Sequence, residues 1–408
     1  MRVLIVSAYY WPEPAGNAPY VTEMAEFLAD REHDIQAVVG LPHYPTWRAE
    51  PRGSEERNGV RIRRHRHYVP QRQSAWTRAA YEGSLFAGAA FALPRKRPDL
   101  ALGVSPALSG AVLAIFAARF YRCRSAVIFQ DLMGLAARES GVEGGVAVSS
   151  VVRGVESWVA RSADRVGIVA EGFRHQLELA GALGARVTCL PNWTLGTGGT
   201  NASIRDELGW GADEFVCLHA GNMGHKQGLE NVLAAAALLE GKGACIVLLG
   251  GGNQRPTLER EATRSGLRNV IFMDPQPTGR FEQILASADA LIVNQRESVA
   301  AMSLPSKLTS YFAAAKPIVA AVSEASETAR EIERAGGGVL VAPEQPGELA
   351  DAITDLQRES ERAVALGTNA RRYADAALKK DEALRAYERF VEHAASSCRR
   401  PSDDSGLD

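Results

Sequence analysis

Two successive runs of strand-like and helix-like segments constrain this chain more than any other feature of its sequence. Apolar stretches that read as strands are Arg2–Ser7, Asp34–Val39, Val60–His65, Leu100–Val104, Ser125–Phe129, Arg165–Val169 and Arg186–Leu190. Helical periodicity fills most of the gaps; in Tyr20–Arg31, for example, Val21, Met24, Phe27 and Leu28 share one face. The pattern stops at Pro191–Asn201, a stretch rich in Gly, Thr and Asn, and then restarts. The second set of strands is Phe215–His219, Ala244–Leu249, Asn269–Met273, Ala290–Val293, Pro317–Ala321 and Gly338–Val341. Apolar strands separated by helices imply parallel sheets covered on both faces, so the expected fold is α/β with two Rossmann-like domains. The expected layout is an N-terminal domain at 1–195, a C-terminal domain at 196–375, a helix at 376–396 packing back on the first domain, and a disordered tail at 397–408.

Composition narrows the classes. A formal net charge of −2 over 408 residues argues against a general nucleic-acid binder. The five cysteines, Cys123, Cys189, Cys217, Cys245 and Cys398, lack metal-type spacing and suit reduced thiols in the cytoplasm. No His, Cys and carboxylate constellation suggests a metal, and no serine elbow suggests a hydrolase. The uncharged run Leu100–Ala118 is long enough to raise the membrane question. Gly103, Ser105-Pro106 and Gly110 interrupt it, so it reads as strand, turn and buried helix.

Ligands of open parallel sheets bind beyond the carboxyl ends of the strands, which directs attention to the post-strand loops. In the second half, Val216–Glu230 runs from a strand through Gly221, Asn222, Met223, Gly224, Lys226 and Gln227 into a helix. Free N–H groups at such a turn, with a lysine beside them, suit an anion. Gly250-Gly251-Gly252 favours close backbone approach, and Met273-Asp274-Pro275-Gln276-Pro277 holds an extended backbone able to meet a flat base. Pro305-Ser306-Lys307 opens another helix with a second lysine. Two adjacent anions need two cations and several N–H groups, so a diphosphate is the natural ligand.

In the first half, the loop Ala8–Pro19 carries Tyr10, Trp11 and Gly16, and Leu41–Trp47 carries His43, Tyr44 and Trp47. Aromatic and proline-rich loops of this kind suit the wall of a sugar site, or they simply pack on the sheet. Asp131 follows a strand directly and is placed to orient a hydroxyl or act as a base, or to cap a turn. The run Arg61, Arg63, Arg64, His65, Arg66 and His67 reads as a solvated strand edge or as a surface attracted to an anionic membrane. Trp76–Leu93 with Arg95-Lys96-Arg97 reads as a core helix or an amphipathic surface-binding one. His219, at a strand end, reads as a core histidine.

Taken together, Met1–Asn17 with Pro-Glu-Pro-Ala-Gly, Pro42-His43-Tyr44-Pro45, Gln130-Asp131-Leu132, Pro191-Asn192-Trp193, Ala220–Gly228 and Leu304–Leu308 resemble glycosyltransferase family 4. Members are retaining enzymes with the two-domain GT-B fold, its Rossmann-like sheets facing across a cleft; the likeness is strongest to bacterial exopolysaccharide and lipopolysaccharide types. The resemblance implies a nucleotide-diphosphate-sugar donor held by the C-terminal domain, with no metal and no other cofactor. It places Lys226, Lys307, the Asn222-Met223-Gly224 turn and the Ser303, Leu304, Pro305 and Ser306 amides at the diphosphate. Met273, Asp274 and Gln276 would meet the base, and Gly16 with Asn17 would approach the phosphate. Gly221, Gln227, Gly250 and Gly251 complete the donor set, while Tyr10, Trp11, His43, Tyr44 and Trp47 would face a sugar, lipid-linked or small-molecule acceptor.

Two departures accompany it. Asn222 and Met223 stand where many members have an arginine, and Met302 and Ser310 stand where many have paired glutamates; Glu297 substitutes only if its loop is arranged differently. A binding or partner protein without catalysis, and a nucleotide-sugar epimerase, are therefore the competing expectations. A cytoplasmic location with peripheral association at the inner membrane face completes the expected picture.

Overall fold

The structure is a computed structural model and describes residues 1–13, 16–43, 48–70, 74–132, 145–195, 203–299 and 307–396. By its contacts the chain divides into two units, one of Met1–Gln130, Val155–Leu190 and the chain from Leu384, the other of Asp131–Gly154 and Pro191–Ala383.

The first unit holds an eight-stranded sheet in the order β3-β4-β2-β1-β5-β6-β7-β8. Its strands are β1 Arg2–Ser7, β2 Asp34–Gly40, β3 Glu55–Arg57, β4 Val60–His65, β5 Leu100–Val104, β6 Arg124–Phe129, β7 Arg165–Ile168 and β8 Val187–Cys189. All neighbours are parallel except β3 and β4. Central β1 pairs Val3 with both Ile35 and Leu100, and Val3, Leu4, Ile5 and Val6 are each at most 1% exposed. Such burial on both faces explains why the strand is an unbroken apolar run. Helices α1 Ala18–Asp30, α2 Ala75–Phe91 and α3 Leu108–Tyr121 follow β1, β4 and β5. The uncharged stretch Leu100–Ala118 thus resolves into β5, a turn and most of buried α3, and among the described residues no helix is long and apolar enough to cross a membrane.

The second unit is a wholly parallel six-stranded sheet in the order β11-β10-β9-β12-β13-β14. Its strands are β9 Phe215–Ala220, β10 Ala244–Leu249, β11 Val270–Met273, β12 Ala290–Asn294, β13 Ile318–Ala321 and β14 Gly338–Val341. Helix α4 Glu230–Leu238 follows β9, and α5 Lys307–Ala313 precedes β13. The strand order reverses beside β9, and beside β1 in the first sheet; these are the switch points where ligands of such sheets sit.

The last helix, α6 Lys380–Ser396, packs in the first unit from Leu384 onward. Tyr387 donates to the Leu190 carbonyl at 2.9 Å, Arg31 pairs with Glu388 at 3.0 Å, and Val391 is fully buried. The short antiparallel edge β3 carries no apolar period in its sequence Glu-Glu-Arg, and sequence reading missed it.

The basic run of β4 is spent within the unit. Arg61 pairs with Asp34, Arg63 donates to the Ala92 and Leu93 carbonyls at 3.3 Å, and Arg64, 1% exposed at its side chain, reaches Glu55 at 3.0 Å. His65 is buried, while Arg66, just past the strand, is exposed.

Candidate functional site

The site is built at the carboxyl end of β9. Gly221 takes a left-handed φ of +127°, and a Cβ there would lie 3.8 Å from the Lys307 Nζ. Lys307 opens α5, and its Nζ lies 3.3 and 3.5 Å from the two ring nitrogens of His219, 88 residues away in sequence. His219 is fully buried; its Nδ1 approaches the Ile292 carbonyl at 3.3 Å. Burial, then the Lys307 charge, hold the imidazole well below its ordinary pKa, so it is neutral and able to accept from the amine. Burial also pushes Lys307 down to about 7. One turn on, the Tyr311 hydroxyl accepts the Ala220 N–H at 2.7 Å and pins α5 to the end of β9. Neither Lys307 nor Lys226 forms an ion pair among the described residues.

The glycines of the next loop have a different task from the one expected. Gly250 and Gly252 have φ of +140° and +146°. A Cβ on Gly250 would sit 2.0 Å from the Gly221 carbonyl oxygen, and one on Gly252 would sit 2.5 Å from that of Met223. Their close approach is to the neighbouring turn of the chain itself, reinforced by Met223 N–H to the Gly251 carbonyl at 2.7 Å and Gly221 N–H to the Leu249 carbonyl at 2.9 Å. Of the three, Gly251 alone has room for a Cβ, which would meet only Pro275, at an ordinary contact distance of 3.9 Å.

The lysine turn is held from within as well. The Gly224 N–H donates to Gln227 Oε1 at 3.1 Å, and His225–Gln227 forms a short 3-10 turn. Gln227 is thereby a turn residue, and the fully buried Met223 side chain lies in the hydrophobic core, leaving its backbone to face the loop. Asn294, at the end of β12, donates to the Gln227 and Gly228 carbonyls at 2.7 and 3.0 Å and accepts from Asn231 at 2.8 Å. Lys226 and exposed Asn222 are left on the outer side of this frame.

The loop from Met273 to Pro277 is positioned by Arg255, which donates to the Gly250 carbonyl at 2.8 Å and to Asp274 at 2.6 Å. Gln276 donates to the Asp274 carbonyl at 3.0 Å. Glu297 is exposed on a 3-10 turn, and Ser310 is half-buried on α5. Met302, Ser303, Leu304, Pro305 and Ser306 lie outside the described residues, as do Tyr44 and Trp47.

The contacts of Asp131 group it with the second unit, and burial, offset in part by the Lys226 cation, pushes its carboxyl up to about 6. In the first unit Gly16 has a φ of +68°, and Asn17 donates to the Ser105 carbonyl at 2.8 Å, closing the start of α1 onto the loop after β5. Tyr10 and His43 are each 2% exposed, so packing on the sheet describes them, and neither presents a face to a ligand. His43 stacks on Tyr9 at 5.4 Å and lies 3.0 Å from the Tyr81 hydroxyl. Buried Glu13 accepts from the Tyr10 and His43 N–H groups at 3.1 and 2.8 Å, joining the loops after β1 and β2. Trp11 is half-buried beneath Arg52 and Arg57, 4.0 and 4.6 Å from its ring. Among the described residues, one histidine and carboxylate group is close enough to share an ion: His33, Glu388 and Glu392, within the first unit.

His219 is the core histidine the sequence suggested, while Asn231, Asn294, Arg255 and Tyr311 went unread as supports of the site. The usable signal was position: Ala220 and Asn294 end strands flanking the switch point, so polar residues there or one turn into the next helix face the loops.

Two α/β units, each with a mostly or wholly parallel sheet and a strand-order switch, are the architecture of the GT-B fold, and the family matches define the class as glycosyltransferase. Residues 200–373 match the model for glycosyl transferases group 1, and residues 15–193 match the glycosyl transferase 4-like domain. The chain belongs to this family, the family 4 type of glycosyltransferase. It is 28% identical over 408 aligned residues to the putative colanic acid biosynthesis glycosyl transferase WcaI of Escherichia coli (strain K12), covering 95% of this chain and 98% of that protein. Its fold is shared with sucrose-phosphate synthase from Thermosynechococcus elongatus at a TM-score of 0.79 and 18% identity, over 97% of this chain and 100% of that one. Anabaena HepE, solved in complex with UDP-glucose, shares it at a TM-score of 0.69 and 17% identity, over 96% and 99%.

Proposed function

We propose that this enzyme moves a sugar from a nucleotide-diphosphate-sugar donor to an acceptor hydroxyl or other nucleophile, with retention at the anomeric carbon and without a metal, in the cytoplasm. The observation that carries this reading is Lys307: an amine at the switch point beside β9, seated on neutral His219, with no carboxylate partner among the described residues. Lys307 is half-buried, and withdrawing a cation from water without a counter-charge is costly; a bound diphosphate supplies that charge. The UDP-glucose complex of HepE supports the donor class.

In this mechanism the bond from the anomeric carbon to the phosphate oxygen breaks as the bond to the acceptor oxygen forms on the same face. The acceptor proton passes to the departing phosphate. Lys226, Lys307 and the amides of the 221–224 turn stabilise charge on that phosphate, the term that usually dominates such chemistry. Asp131 orients the acceptor group. The acceptor is a sugar, a lipid-linked sugar or a small molecule.

The test is turnover of nucleotide sugars, by transfer or by donor hydrolysis, in the presence of a chelator. Lys307→Ala and Lys226→Ala are each expected to lower kcat by about 10²–10³. Donor binding without transfer would mark a binding protein, product without acceptor an epimerase, and activity lost to the chelator would refute metal independence.

A further inference from the structure

Helix α2 has an unusual outer face. Its solvent-exposed positions are Trp76, Ala79, Ala80, Gly83, Ala87 and Phe91, none of them charged. Trp76 is 86% and Phe91 93% exposed. The two charged residues of the helix are engaged elsewhere: Arg78 pairs with Glu82 at 3.0 Å, and Glu82 also accepts the Ser109 N–H. The opposite face is apolar too, with Tyr81, Leu85 and Ala89 in the core. A helix apolar on both sides belongs in a covered position, yet this one lies on the surface.

The apolar character continues onto α3. Phe120 is 78% and Phe116 48% exposed, and Phe116 packs on Phe86 of α2 at 6.1 Å and on Trp158 at 5.8 Å. The ends of the two helices are tied together, Tyr121 donating to the Pro94 carbonyl and Arg97 to that of Arg122. Cations gather at this end: Arg95, Lys96 and Arg97 are exposed directly after α2, and Arg119 lies beside Phe120 over Trp158. Asp99, the nearest acid in sequence, accepts the Arg2 N–H. The chain carries a net charge of −2, so this positive cluster is a local asymmetry.

We propose that this face of α2 and α3 docks on an anionic lipid bilayer, with Trp76, Phe91 and Phe120 entering the interface and Arg95, Lys96 and Arg119 on the headgroups. Exposed aromatics bounded by cations complement a surface that is apolar inside and negative at its rim. The proposal is independent of the transfer reading, since no residue of the donor site belongs to the face. It also moves membrane contact away from β4, whose Arg61, Arg63 and Arg64 have partners within the unit.

The full chain is sedimented with vesicles of phosphatidylglycerol and phosphatidylethanolamine, and with phosphatidylcholine vesicles. Binding is expected to the anionic vesicles alone and to fall with salt. Arg95→Gln/Lys96→Gln should weaken it about fivefold per cation, and Phe91→Ser/Phe120→Ser by about tenfold or more, with thermal melting and donor hydrolysis in solution unchanged. Equal binding to both vesicle types, no loss in either variant, or a concentration-dependent dimer that Phe120→Ser abolishes would overturn the proposal, the last by showing that the face covers a second copy.

Discussion

The ionisation of Lys307 gives the sharpest test of the diphosphate site. In the unliganded protein burial lowers its pKa to about 7. A diphosphate beside Nζ restores the charged form and moves the pKa back toward the ordinary 10.5. Between those values donor binding must take up a proton, at pH 8 about 0.9 of one, since ten of every eleven unliganded molecules are then neutral at this amine. Affinity scales with the protonated fraction, so it falls about fivefold from pH 7 to 8 and steepens toward tenfold per unit above that. Calorimetric titration with a nucleotide sugar, in two buffers of different ionisation enthalpy, reads the proton count directly. Lys307→Arg, charged throughout this range, should bind with no uptake. The unliganded protein gives the matching sign: the folded pKa is lowered, so the penalty is full below pH 7 and stability rises as the pH climbs from 7 toward 10.5. Zero uptake at pH 8 with unchanged affinity would show that Lys307 does not meet the diphosphate.

Three further outcomes follow from the frame of the site. Gly250→Ala places a Cβ on the Gly221 carbonyl at a left-handed φ and should cost at least about 3 kcal/mol in denaturant unfolding, whereas Gly251→Ala, which meets only Pro275 at an ordinary contact distance, should leave stability nearly unchanged. Tyr311→Phe strands the buried Ala220 N–H and should lower stability by about 1–3 kcal/mol, seen as a drop of several degrees in Tm, and should weaken donor binding by freeing the start of α5. Asn294→Leu removes the donors that hold the Gln227 and Gly228 carbonyls and the acceptor of the Asn231 amide, so kcat should fall together with donor affinity, and Tm should drop by at least as much as in Tyr311→Phe.

Much of the fold was legible because its signals are local. Fully buried parallel strands must be apolar runs, so β1, β5, β9 and β10 announce themselves, and Pro191–Asn201 announces the break between the two patterns. The family resemblance was legible for a related reason, since short loop motifs keep their order along the chain. Edge strand β3 was not legible, because a solvated edge imposes no period. The triple glycine was read as space for a ligand, while its first and third members are required by the backbone of another loop.

By itself, then, the sequence determined two α/β patterns, their punctuation and the lysines offered at strand ends, all properties of neighbours within a few residues. Tertiary structure alone decided that Lys307 sits on His219, 88 residues earlier, that Asn294 braces the Lys226 turn, and that the cations of β4 are consumed internally while the outer face of α2 is left bare. The physical reason is that pKa values, turn rigidity and surface exposure depend on burial and on partners brought together by folding, and no period along the chain encodes which distant residues those partners will be.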